Sequence, residues 1–153
     1  MDGPVMALDL GQKRVGVAVS DSLLISITKL PALERSSWKK MLSDVIAFIE
    51  RFDVKALVIG FPLGLSGNKG PAAEAARGIA EKFALSLSLP VYLQDERLTS
   101  AEAEEQLRGA GKDFNEVRRL VDGQAAAIIL SDFISGGQDR ILVSGQRAAP
   151  ETK

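Results

Sequence analysis

Val5-Met6-Ala7-Leu8-Asp9-Leu10-Gly11, then Gln12-Lys13, then Arg14-Val15-Gly16-Val17-Ala18-Val19-Ser20, is the part of the chain from which its architecture is read. Two apolar runs of β-type composition are broken by one carboxylate and a glycine, a pattern of strand, tight turn and strand. A carboxylate in this position emerges at a strand end, beside a glycine able to take φ > 0. Burying the charge unpaired is costly, so Asp9 needs a partner, either a backbone turn or a bound cation.

Working outward, residues 4 to 10, 14 to 20 and 24 to 30 read as three strands of an antiparallel meander. Ser36 and Ser37 offer N-caps to a helix whose apolar positions Trp38, Met41, Leu42, Val45, Ile46, Ile49 and Phe52 keep helical spacing. Ala56-Leu57-Val58-Ile59 reads as a buried strand, residues 60 to 70 as a glycine-rich loop, and Pro71 as the first turn of a helix to about Leu87. A strand from Pro90 delivers Gln94-Asp95-Glu96-Arg97 at its end, and Thr99 or Ser100 caps the next helix. After Gly109-Ala110-Gly111-Lys112 comes a charged helix, and a last helix is expected to start near Asp122 with Ala125, Ala126, Ile129, Leu130 and Phe133 on its apolar stripe. Residues 1–138 are expected to form one domain, and 139–153 a tail that is partly disordered.

Strands alternating with helices after a meander imply a mixed α/β sheet, parallel in its second half. Ligands in such sheets bind beyond the carboxyl ends of the strands. There Asp9, the 60 to 70 loop and Asp95 or Glu96 gather, and Asp122 reaches the same edge from a helix start. Because neighbouring strand residues face opposite ways, at most one of Asp95 and Glu96 faces Asp9. Asp122 has a competing role as an N-cap, although it also shares the stripe of Ala126, Ile129 and Phe133.

Composition narrows the chemistry. The 153 residues include no cysteine and no histidine, which excludes thiol nucleophiles, imidazole bases and the usual zinc or copper ligand sets. Carboxylates gathered without matching cations repel one another, and a hard divalent cation, Mg²⁺ or Mn²⁺, resolves that conflict. Metal-assisted phosphodiester hydrolysis needs no histidine base. Lys13, Arg14, Asn68, Lys69, Arg77 and Arg97 are the candidates for contacting a nucleic-acid backbone. The 60 to 70 loop lacks the Gly-Lys-Ser/Thr of a Walker loop. No apolar run approaches the roughly 18 to 20 residues of a membrane span, and no signal peptide is evident, so a cytoplasmic protein is expected. The net charge of −1 does not by itself advertise a nucleic-acid partner, since a global balance hides local separation.

Leu8-Asp9-Leu10-Gly11, Arg14 to Asp21, Gly60-Phe61-Pro62-Leu63 with Gly67, Asp95-Glu96-Arg97-Leu98-Thr99, and Val121-Asp122 with Ala125-Ala126 resemble, in order, the motifs of the YqgF/RuvX family. These are pre-16S rRNA nucleases, long described as Holliday junction resolvase-like, and the match spans about residues 5 to 135. The resemblance implies a ribonuclease H-like fold, with a five-stranded mixed sheet of order 3-2-1-4-5 whose second strand is antiparallel to the others. It implies that Asp9, Glu96 and Asp122 form a metal site, with Asp95 the alternative to Glu96. The activity it implies is trimming of the 5′ end of 16S rRNA precursor, with RNA and a pre-ribosomal particle as partners and the protein a monomer or weak homodimer. A DNA junction endonuclease and a non-catalytic nucleic-acid-binding module are the alternatives; an actin-like ATPase would need two such domains. Two positions depart from the family pattern: Gly64 replaces the usual Asn, and Gly123-Gln124 replaces a small apolar pair.

Overall fold

The computed structural model describes residues 2–61, 70–95, 114–136 and 140–143, with the helical backbone alone for 114–122. Its strands are β1 (Val5–Leu10), β2 (Arg14–Ser20), β3 (Ile27–Glu34), β4 (Ala56–Phe61), β5 (Val91–Asp95) and β6 (Arg140–Leu142). The helices are α1 (Trp38–Phe52), α2 (Pro71–Ser86) and α3 (Phe114–Ile134). The strands form one sheet of order β3-β2-β1-β4-β5-β6, in which β2 and β6 run against the rest. The expected order and the antiparallel second strand are present, and β6 is added.

The sheet has two buried faces. Met6 and Leu8 of β1, Leu57 and Ile59 of β4, and Val91 and Leu93 of β5 pack with Met41 and Val45 of α1 and with Ala76, Ala80 and Phe83 of α2. The alternate positions, Val5, Ala7, Ala18, Ala56 and Val58, pack under Ala126, Ile129, Leu130 and Phe133 of α3. The period of two in β1 thus sends Leu8 to one layer and Asp9 to the other, the side that α3 covers. The alanines of α2 let that helix lie close to the sheet, and Trp38 fills the remaining gap by meeting Phe83 edge-on at 4.7 Å.

Three departures from the sequence expectation have local causes. First, β3 begins at Ile27, not near residue 24, and runs to Glu34. The Asp21 carboxylate accepts from the Ile25 and Ser26 amides at 2.7 and 3.3 Å, and Leu24 takes the left-handed region at φ 61, so the chain is still turning there. As an edge strand, β3 tolerates Pro31 where its register with β2 shifts between Val15 and Val17. Second, α3 starts at Phe114, merging the expected charged helix with the last one, so Asp122 lies inside a helix and does not cap it. Third, the start of the expected tail joins the sheet as β6. Arg140 donates to the Phe133 carbonyl near the end of α3 and stacks over the Phe133 ring at 4.0 Å, tying strand to helix.

Ser37 is the cap that α1 uses, accepting from the Lys40 amide at 3.1 Å. The helix expected after Thr99 or Ser100 lies outside the described residues. Among those described, no helix is long and apolar enough to cross a membrane. Leu130 is fully buried between α3 and the sheet. Leu130→Ala is expected to destabilise the protein by about 2–5 kcal/mol, read as a lower urea midpoint with an unchanged slope.

Candidate active site

Asp9 stands one residue before the end of β1, level with Gly16 of β2. On the other side, one step beyond the registered pair Leu8–Ile59 brings it level with Gly60 of β4. Directly paired residues share a face, so the half-buried Asp9 carboxylate has a residue without a side chain beside it on both neighbouring strands. The next strand over carries Gln94 level with Gly60, in the alternation of Tyr92, and Gln94 is only 2% exposed. This buried amide was not singled out in the sequence; its signal is a polar residue at a position where the strand pattern calls for an inward one.

The turn after Asp9 is held tightly. The Gly11 amide donates to the Arg14 carbonyl at 2.9 Å and lies 3.1 Å from the Asp9 carbonyl. A Cβ on Gly11 would come within 2.6 Å of the Arg14 carbonyl oxygen. Glycine is therefore required here by close approach of backbone; among the described glycines the positive φ belongs to Gly136. Arg35, just past β3, fastens the turn from outside: its amide donates to the Lys13 carbonyl at 2.9 Å and its guanidinium to the Gly11 carbonyl at 2.7 Å. Sequence reading missed Arg35, because β3 was expected to end earlier.

The other proposed residues are distributed as follows. Lys13 and Arg14 are exposed on the β1–β2 turn, at the Asp9 end of the sheet. Asp95 ends β5 in the alternation of Leu93, opposite to Asp9 and Gln94. Arg77 of α2 lies over the Phe61 ring at 5.6 Å, half-buried. Asp122 is in α3, one turn before Ala126; the helix crosses the Asp9 face, from β3 at Gly123 to Tyr92 of β5, whose ring meets Phe133 at 5.0 Å. The unusual pair after Asp122 anchors that crossing, since Gly123 lies against the Lys29 side chain and Gln124 accepts from Lys29 Nζ at 3.0 Å. Asn68, Lys69, Glu96 and Arg97 lie outside the described residues. Among the described residues, no group of three or more His, Cys, Asp or Glu side chains comes together.

On the opposite face, beside the same strand ends, a cleft of about 400 Å³ is lined by Leu10, Arg35 and Gly60 and by Pro71, Ala72 and Ala75 of α2. One carboxyl near the strand ends is perturbed. Partial burial, and secondarily the Asp95 charge, hold Asp132 of α3 above the ordinary aspartate value.

Solved structures place this arrangement in a fold class. The chain is similar to Thermus thermophilus RuvC in complex with a Holliday junction substrate, with a TM-score of 0.53 at 18% identity, covering 86% of this chain and 93% of that one. It is likewise similar to the fowlpox virus resolvase solved with Holliday junction DNA, at a TM-score of 0.52 and 14% identity over 87% and 97% of the two chains. The fold is ribonuclease H-like. The family model RuvX, described as Holliday junction resolvase, matches residues 3–136, and the chain belongs to that family. Curated relatives bearing the name "Putative pre-16S rRNA nuclease" include those of Anaeromyxobacter sp. strain K, 38% identical over 84% of this chain and 94% of its own, and Gloeothece citriformis, 40% identical over 84% and 85%.

Two expectations follow from this geometry. Gly11→Ala forces the β1–β2 turn apart and is expected to destabilise the protein by about 1–3 kcal/mol in chemical denaturation. Because the Asp132 carboxyl is raised in the folded state, its contribution to stability is fully present below the unfolded value and is lost as pH rises through the folded one. Asp132→Asn should accordingly be more stable than the parent near pH ~7, the gain shrinking toward pH ~3.5, in melting curves across that range.

Proposed function

We propose that this protein is a divalent-metal-dependent nuclease that hydrolyses phosphodiester bonds and trims the 5′ end of 16S rRNA precursor. The observation that carries the reading is Asp9: a carboxylate fixed at the end of an enclosed central strand, with glycines beside it on both neighbouring strands. Membership of the RuvX family and the names of the curated relatives support the same activity.

The donor set fits a hard cation. The chain has neither histidine nor cysteine, and carboxylate oxygens are what Mg²⁺ and Mn²⁺ take. Asp9, Asp122 and Glu96, with Asp95 as the alternative to Glu96, would hold it. When bound, such an ion lowers the pKa of water and neutralises phosphate charge, so a base of ordinary histidine type is not needed. Gly16 and Gly60 leave the room beside Asp9 that a phosphate requires. Lys13 and Arg14, exposed on the adjoining turn, would hold the substrate backbone, with Asn68, Lys69 and Arg97 as further contacts. Arg35 keeps the turn from drifting, which fixes where Asp9 presents its oxygens. The protein would act in the cytoplasm on a pre-ribosomal particle, as a monomer or weak homodimer.

Asp9→Asn should abolish Mn²⁺-dependent cleavage of a labelled 16S precursor while the melting curve stays cooperative. Equal cleavage by this variant sinks the assignment. A four-way DNA junction assayed alongside decides between rRNA processing and the junction activity named in the family's description, and RNA binding without cleavage of either would leave a binding module.

A further inference from the structure

We propose that the cleft beside β1 is a subsite for one nucleotide of a single-stranded substrate, next in sequence to the phosphodiester held at Asp9, and that Arg35 receives its phosphate. The proposal rests on the reading of the Asp9 edge as the nuclease site.

Cleft and carboxylate lie at the same strand ends. Leu10, which follows Asp9 and ends β1, and Gly60, level with Asp9 on β4, both line the cleft, so a strand held at Asp9 reaches it by passing around the end of β1. Neighbouring strands are about 4.8 Å apart, so the Gly60 rim lies within one nucleotide of Asp9. The cleft's size, about 400 Å³, falls in the range that takes a small ligand, and too small for a duplex. Its walls divide by chemistry. Leu10, Pro71, Ala72 and Ala75 offer an apolar surface to a base, Gln12 adds a polar side chain, and Arg35 supplies the charge.

Arg35 is suited to that role. Its guanidinium is half-buried, and the hydrogen bond to the Gly11 carbonyl fixes its plane while using one of five N–H donors. Among the described residues no carboxylate pairs with it. A planar fork held in this way matches a phosphate at low entropic cost. A base can reach the cleft only when unstacked, which selects single-stranded or frayed nucleic acid.

The test uses the full chain carrying Asp9→Asn, with fluorescence anisotropy of fluorescein-labelled single strands of about ten nucleotides, one RNA and one DNA, in Mg²⁺ buffer. Ala75→Leu fills the cleft from an exposed helix position without touching the Gly11 clamp. It should weaken binding about tenfold with an unchanged salt slope. Arg35→Gln should weaken binding similarly and lower the salt slope by about one, with Arg35→Lys restoring part of the affinity. Loss in the RNA arm alone, the DNA arm alone or both supports the subsite and identifies its source. Equal binding by Ala75→Leu and its parent at matched melting temperature, or no measurable binding by the parent, overturns it. If the unsubstituted protein cleaves nothing yet the cleft variants lose binding, the nuclease reading fails and the subsite stands.

Discussion

β1 is enclosed on every side, and the rest of the structure depends on that. Val5 to Leu8 have no solvent exposure, β2 and β4 take up the two backbone edges, and α1, α2 and α3 cover the two faces. The Ser20 hydroxyl accepts from the Val5 amide at 2.9 Å at the start of the strand. A strand paired on both edges and buried on both faces over Val5 to Leu8 cannot slip, since a shift of one residue would exchange its two faces. On the face that α3 covers, the last position of that strand is Asp9. The placement of Asp9 therefore comes from the core and from the turn that Gly11 and Arg35 hold.

α3 serves the same end from above. Its Ala126, Ile129, Leu130 and Phe133 pack on the face made by Val5, Ala7, Ala18, Ala56 and Val58, with Phe133 meeting Tyr92 of β5. Polar contacts tie its middle and its C-terminal end: Lys29 to Gln124 over β3, and Arg140 to the Phe133 carbonyl beside β5. Pinned at two places on opposite sides of the sheet, the helix has a fixed position along its axis. For the proposed role of Asp122 this position along the axis is decisive, because a helix shifted by one residue rotates each side chain by about 100°.

Legibility in the sequence followed the range of the forces. The meander, α1, β4, α2 and β5 have strong local periodicity, and each was legible. The sheet order came from the family motifs, since pairing between distant strands leaves little local trace. β3 was displaced because the Asp21 carboxylate organises a turn through the Ile25 and Ser26 amides, a contact invisible in hydrophobic pattern. The start of α3 was missed because Asp122 resembles a cap, whereas the packed stripe that follows carries the helix back through the charged residues. β6 depends on Arg140 reaching α3, a tertiary contact with no local sequence sign. At the candidate site, the place of Asp9 at the end of β1 was legible as a charge between apolar runs. Gln94 was overshadowed by the two carboxylates after it, although its alternation with Tyr92 marks it as the inward residue.

The charge arrangement explains how a protein of net charge −1 can manage a polyanion. A general positive field would hold nucleic acid everywhere and in every register. Lys13, Arg14 and Arg35 gather at the turn beside Asp9, with Glu34 level with Arg14 and Asp95 at the end of β5 as the carboxylates of that end. On the proposed reading, the pull of these cations on a nucleic-acid backbone is local to the Asp9 edge, since it falls off within about one Debye length, roughly 8 Å at physiological salt. Local cations of this kind position a strand more than they accumulate it. On the proposed reading, selection comes from fit: which strand can enter the glycine-flanked space at Asp9 and place its neighbouring nucleotide in the cleft beside Leu10 and Gly60.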